Sequence, residues 1–178
     1  CKWITALQKN SLGILKHNLD SGGRFDSIAV QQKIITMLHN EIGLLNSGKI
    51  NPKDLVVIRR VTKKIQDFSV STNTQQALIR ARKLGQNILP GRKVRFVATK
   101  PSPGVPESRV VLLEELSENS KLKIDSDYYQ KLAIRATWAI LGPFGWSDEE
   151  IRQGRKKYTL FDFFDAFNSK SSIDHPAY

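Results

Sequence analysis

Thr62, Lys63 and Lys64 stand together just after a β-branched run. A hydroxyl and two ammonium groups at a strand end suit hydrogen bonding and ion pairing to the oxygens of a phosphate backbone. Arg80, Arg82 and Lys83 form a second set, and Arg80 and Lys83 would share one side of a helix drawn through them. Such a set can reach phosphate or can pair with Glu114 or Glu115, and the sequence leaves both alternatives open. Arg92 and Lys93, with Arg95, follow a Pro90-Gly91 turn, and Arg155, Lys156 and Lys157 form a further cluster. These are short groups inside patterned segments, unlike a long basic arm. In total 28 Lys and Arg oppose 17 Asp and Glu over 178 residues, and the net charge of +11 is the balance expected of a polyanion-binding chain.

Other chemistries lack their residues. Two-metal phosphoryl transfer needs carboxylates that hold ions about 3.5–4 Å apart. The acidic groups available are Glu114-Glu115, Asp125 with Asp127, and Asp148-Glu149-Glu150. The last two sit where helices begin, a place where negative charge is favoured in any case. There is no Walker loop, no Gly-x-Gly-x-x-Gly turn and no Gly-x-Ser-x-Gly elbow. One cysteine, Cys1, and three scattered histidines offer neither a disulfide, a zinc site nor a positioned Cys/His pair. His17 and His39 lie in helical patterns and read as surface or boundary side chains, while His175 is in the tail. The chain is therefore expected to bind and not to catalyse, with no metal and no cofactor of its own. With neither an apolar run long enough to span a bilayer nor a signal-peptide pattern, it reads as a folded cytoplasmic protein.

The elements that must position these residues can be read from periodicity. Trp3, Leu7, Ile14, Leu15 and Leu19 recur at helical spacing, and 20–23 carry turn chemistry. Ile28, Ile34, Ile35, Leu38, Ile42 and Leu45 predict a second helix over 26–46, capped by Asp26 or Ser27 and stopped by Ser47-Gly48, so that the two can pair as a hairpin. The run 55–58 predicts a strand. A third helix is expected over 75–84, started by one of Ser71, Thr72, Asn73 or Thr74, with Ala77, Leu78, Ala81 and Leu84 inward. Strands are expected over 94–98 and 109–113, paired across the Pro-rich loop 101–106. Asp125 or Ser126 caps a fourth helix over 127–141, with Tyr128, Leu132, Ile134, Ala136 and Ile140 supplying most of its buried surface. Ser147 and Glu150 have capping-box spacing for a short helix, after which residues from 153 on read as a mobile tail. Phe96, Tyr128, Tyr129, Trp138 and Trp146 fall within apolar patterns and are expected in the core. The fold class is α+β, mostly helical, with a helical hairpin and a small mixed α/β lobe.

Four blocks, in order, resemble the C-terminal thumb of archaeal-type family B DNA polymerases. They are the stretch from Val57 through Thr62-Lys63-Lys64 to Phe68, the Ala/Arg/Leu-rich stretch from Gln76 to Leu84, Pro90-Gly91 with the strand after it, and Asp125-Ser126-Asp127-Tyr128-Tyr129 with the later Phe144-Gly145-Trp146. The likeness runs over about 3–150. It implies a palm-proximal hairpin over 1–50, a thumb lobe with C-terminal helices over 51–152, and a tail over 153–178. It also implies a nucleotidyltransferase whose magnesium and catalytic carboxylates sit in a palm on the same polypeptide or on a large subunit, because the family's Tyr-x-Asp-Thr-Asp strand, its Lys-rich palm–thumb motif and its fingers helix are absent here. The chain alone is then expected to be inactive. Its candidate contacts with primer-template DNA are Thr62, Lys63, Lys64, Arg80, Arg82, Lys83, Arg92 and Lys93.

The tail also resembles the peptide by which replication proteins dock on the sliding clamp. Leu160, Phe163 and Phe164 fall at its hydrophobic anchor positions, and Lys157 stands where that motif carries Gln. An alternative from another class is a non-catalytic basic accessory protein that binds DNA and the clamp. An RNA-binding domain is disfavoured, since neither an aromatic RNP strand nor a Gly-x-x-Gly clamp is present.

Overall fold

The structure, a computed structural model, describes residues 1–24, 26–117 and 122–157. Five α-helices and a three-stranded sheet follow one another as α1 (Lys2–Asp20), α2 (Ile28–Asn46), β1 (Val57–Arg60), α3 (Asn73–Lys83), β2 (Lys93–Ala98), β3 (Val110–Leu112), α4 (Ser126–Leu141) and α5 (Asp148–Gln153). The sheet is antiparallel in the order β1-β2-β3, so β2 is central. The α+β class and the pairing of the second and third strands agree with the sequence reading.

Local chemistry sets most element starts. Thr72 accepts from the Gln75 backbone N–H to begin α3, Asp125 accepts from Tyr128 to begin α4, and Ser147 and Glu150 form a reciprocal capping box on α5. At α2 the N-cap is Ser27, but its side chain makes no capping bond, and the Asp26 carboxylate is taken by Arg24. The first strand lies two residues later than the run 55–58 suggests. Asn51 caps a single 3-10 turn over Pro52–Asp54, which draws Leu55 out of the strand, and the ladder to β2 then pairs Val57 through Arg60.

One core runs through the molecule. α1 packs against both α2 and α4, α4 also meets α2 and α5, and α3 lies on β2 and β3. Buried residues from the hairpin (Trp3, Leu7, Ile34, Leu38), the sheet (Phe96, Val97, Leu112) and α4 (Tyr129, Ala133, Leu141) belong to the same cluster. The stripe of α4 is rotated from the expected one. Tyr129, Ala133, Ala136, Thr137 and Leu141 are buried along with Ile134, while Tyr128, Leu132 and Ile140 are only partly covered. Small residues on that stripe, with the buried Ser11 on α1, let the two helices come close. Trp138 is thereby turned outward and is 48% exposed, contrary to its expected place in the core; its ring lies over Gly142. Leu19, Ile28 and Leu84, read as apolar-face residues, are likewise exposed at helix ends.

Four hydrogen bonds tie the layers, three of them buried and that of Trp3 partly so. The Tyr129 hydroxyl donates to the Leu55 carbonyl at 2.8 Å and accepts from the Ala98 N–H at 2.9 Å. Trp146 Nε1 donates to Gln31 Oε1 at 2.8 Å, and Trp3 Nε1 donates to Glu41 Oε2 at 2.8 Å. Residues 153–157, read as the start of the tail, are held to the body. Gln32 donates to the Gly154 carbonyl, Lys156 donates to the Phe144 carbonyl, and the Lys157 N–H donates to Glu150 while its ammonium pairs with Glu149. Gly154 has φ +75° and lies against His39, whose Nε2 would be 3.1 Å from an added Cβ, so both conformation and space call for glycine there. His39 itself bonds the Ile151 carbonyl, as a satisfied boundary histidine should.

Candidate nucleic-acid interface

The basic residues separate into two groups with different fates. The first lies where β1 ends and β2 begins. Val61 N–H donates to the Arg92 carbonyl and Gly91 N–H donates to the Val61 carbonyl, both at 2.8 Å, which clamps the Thr62-Lys63-Lys64 segment beside the Pro90-Gly91 turn. Antiparallel register places Arg60 opposite Lys93 and Ile58 opposite Arg95. Directly opposed residues share a face of a sheet, so Ile58, Arg60, Lys93 and Arg95 all project from one side of the β1–β2 ladder. Each of them, together with Thr62, Lys63, Lys64 and Arg92, is exposed. None of these six cations has a side-chain ion pair or hydrogen bond among the described residues. Farther along β2, Val97 is buried on the same parity, so the open face ends there. At that end Ile58 and Arg95 join Val56, Leu113 and Lys2 around a cleft of about 370 Å³.

The second group lies on α3, and there the pairing with Glu114 or Glu115 that the sequence offered is made by Arg80, while Lys83 finds a carboxylate the sequence reading did not name. Arg80 makes a forked pair with Glu115, Nε to Oε2 at 2.6 Å and an η nitrogen to Oε1 at 2.8 Å. Lys83 pairs with Glu107. Glu115 also accepts from the Leu112 N–H at 2.9 Å. Partial burial pushes its carboxyl up, but the Arg80 and Leu112 hydrogen bonds outweigh that and hold it below its ordinary value of 4.5. The Lys83 hydrogen bond likewise holds Glu107 low. Arg82 stays exposed, without such a partner.

Of the residues singled out by sequence, the structure therefore brings Thr62, Lys63, Lys64, Arg92 and Lys93 together and engages Arg80 and Lys83 with carboxylates. Lys157 is tied to α5, and Leu160, Phe163 and Phe164 lie outside the described residues. Sequence reasoning grouped Arg95 with Arg92 and Lys93 but left it out of the candidate contacts, and it missed Arg60 altogether. Two-residue alternation was the available signal, but it becomes usable only once the pairing of 57–60 with 93–96 is known.

Among the described residues, no group of three or more His, Cys, Asp and Glu could hold a metal ion, and no helix is long and apolar enough to cross a membrane. A cavity of about 520 Å³ opens between α1 and α2 around Asn10, His17, Asn18 and Lys33 and is lined by none of the clustered cations. The arrangement offers positive charge along an antiparallel ladder and one hydroxyl, that of Thr62, just beyond it, which suits contact with a sugar–phosphate backbone.

No family model matches the chain. It is 25% identical over 131 residues to DNA polymerase 2 of Aeropyrum pernix, a match covering 72% of this chain and 16% of that protein. It is also 25% identical over 132 residues to a DNA polymerase of Thermococcus litoralis, covering 74% of this chain and 8% of the relative. A DNA polymerase of Archaeoglobus fulgidus is 23% identical over 146 residues, 75% of this chain and 19% of that protein. The family B DNA polymerase of the hyperthermophilic archaeon Pyrobaculum calidifontis superposes with a TM-score of 0.62 over 83% of this chain and 18% of that structure, at 18% identity. The chain is similar to archaeal DNA polymerases, and its fold occurs within a family B enzyme. It spans less than a fifth of the length of each of these polymerases. The likeness covers most of the chain, as the ordered blocks in the sequence implied.

Proposed function

We propose that this chain is the thumb of a DNA-directed DNA polymerase and grips the backbone of primer-template duplex. The bond-making carboxylates and their magnesium would lie in a catalytic part on the same polypeptide or on a separate subunit, since the described residues supply no ligand set for them. A thumb must hold a duplex of any sequence as it advances. Its contacts therefore go to phosphates, from Lys, Arg, Thr and backbone N–H groups. The observation that carries this reading is the clamped junction of β1 and β2, where Thr62, Lys63, Lys64, Arg92 and Lys93 are exposed and uncompensated. Arg82 adds a donor from α3, while Arg80 and Lys83 act first as supports for the segment 107–115. The tail anchors Leu160, Phe163 and Phe164 would dock the polymerase on a sliding clamp.

The test is the replacement of Thr62, Lys63 and Lys64 together by alanine. Duplex affinity should fall about equally for unrelated sequences, and the slope of log affinity against log salt should drop by roughly one unit per lost phosphate contact. A loss confined to particular base sequences, or no loss at all, would sink the proposal.

A further inference from the structure

Arg60 and Lys93 are direct partners across the β1–β2 ladder, and Arg95 is diagonal to Arg60 on the same face. Cβ atoms of directly opposed residues are about 4.5–5.5 Å apart, and diagonal neighbours about 7–8 Å, so like charges so placed repel and weaken the sheet. These separations are within the Debye length of about 8 Å at physiological salt, so the three act on one another and on a ligand as a single site. Nowhere among the described residues does a carboxylate answer them. On α3 the same fold matches Arg80 and Lys83 to Glu115 and Glu107. Protection of a sheet edge against aggregation accounts for charge on β1, which is the edge strand. β3 pairs with β2 only at 96–98, so Lys93 and Arg95 also lack a neighbour on their other side, but edge protection does not call for three like charges set against one another across one face of a ladder. A local rule broken without compensation marks a functional surface, and here the missing compensation is negative charge.

Resting on the duplex reading above, we infer that Arg60, Lys93 and Arg95 form a second backbone-contact surface on the outer face of the ladder, extending the phosphate footprint beyond the 62–64 segment. Bound phosphates supply the anions that the free protein lacks. The sheet is thus weaker than it need be without nucleic acid and gains stability with it.

The experiment uses the full chain, a short mixed-sequence DNA duplex as probe, and the variants Arg60→Gln, Lys93→Gln, Arg95→Gln and Lys93→Glu. Each neutral variant should bind the duplex several-fold more weakly and lower the salt slope by about one unit. The free Arg60→Gln and Lys93→Gln proteins should melt higher at low salt, by about 1–3 °C, because repulsion across the ladder is relieved. Lys93→Glu, which creates an opposite-charge pair with Arg60, should melt highest and lose the most affinity. A purely structural role for these side chains gives the reverse sign in melting, and that result, or unchanged slopes in all four, overturns the inference. The Thr62, Lys63, Lys64 alanine variant is the control. If it and Lys93→Gln lose affinity and the Arg60 and Arg95 variants do not, the second surface is wrong and the duplex reading stands; if none loses affinity, the duplex reading fails and takes this one with it.

Discussion

Tyr129 shows how much a single hydroxyl can hold. Its oxygen joins the Leu55 carbonyl, 74 residues earlier, to the Ala98 N–H, 31 residues earlier, inside the core. Burial pushes the phenol up from its ordinary value of 10.0, so it stays neutral as donor and acceptor. Tyr129→Phe keeps the ring and leaves both backbone groups unpaired, and should cost about 2 kcal/mol in urea unfolding with an unchanged denaturant slope. Duplex affinity of the folded variant should not change, because the residue touches none of the exposed cations. That Tyr129 belongs to the core could be read from its place in an apolar pattern. Its two backbone partners could not, because nothing local in the sequence specifies contacts at those separations. Trp138 shows the converse: a large apolar side chain one position past the buried Thr137 faces solvent because the helix stripe had already turned.

Elements were most readable where their signals are short-range. Thr72, Asp125 and the Ser147/Glu150 box each bond within their own first turn, and each starts its helix as expected. The first strand slipped by two residues because its limits depend on a ladder partner some 40 positions away in the chain and on a 3-10 turn before it. The attachment of α3 to the segment 107–115 belongs to this scale as well. Glu115 is held below its ordinary value of 4.5 in the fold, so its contribution is fully present above that pH and is lost as the pH falls through the lowered value. Glu115→Gln should therefore be less stable than the natural chain at neutral pH by about 1 kcal/mol, a modest amount because both partners are partly solvated. The difference should shrink as the pH falls below the ordinary value of 4.5 in thermal melts of the two proteins. A constant difference across that range would show that shape, and not charge, holds α3 in place.

For the whole molecule, charge pointed to a polyanionic partner but was a poor guide to which cations stay free. The excess of cations was plain in composition, yet which of them are spent on carboxylates depended on where Glu107 and Glu115 came to lie. The proposed clamp contact is tested at this scale too: calorimetric titration of a peptide spanning 155–167 with the sliding clamp of the same source should give a dissociation constant of about micromolar or tighter. A chain cut after Lys157 should bind short duplexes normally, and a polymerase assembled with its catalytic part should lose only the clamp-dependent gain in processivity. Thermal destabilisation of the cut chain, with no heat in the titration, would instead assign the aromatic residues to its own core. The packing of α4 also bears on how the molecule comes to exist. α1 and α2 are complete by residue 46, yet their inner faces close only on residues 126–151, through helix packing and the bond from Trp146 to Gln31. Chain synthesis at about 5–20 residues per second leaves those faces waiting several seconds for their cover. The late helix is thus the slow, non-local step of folding, and during that interval the growing chain offers Trp3, Leu7 and Ile34 to chaperones or to one another.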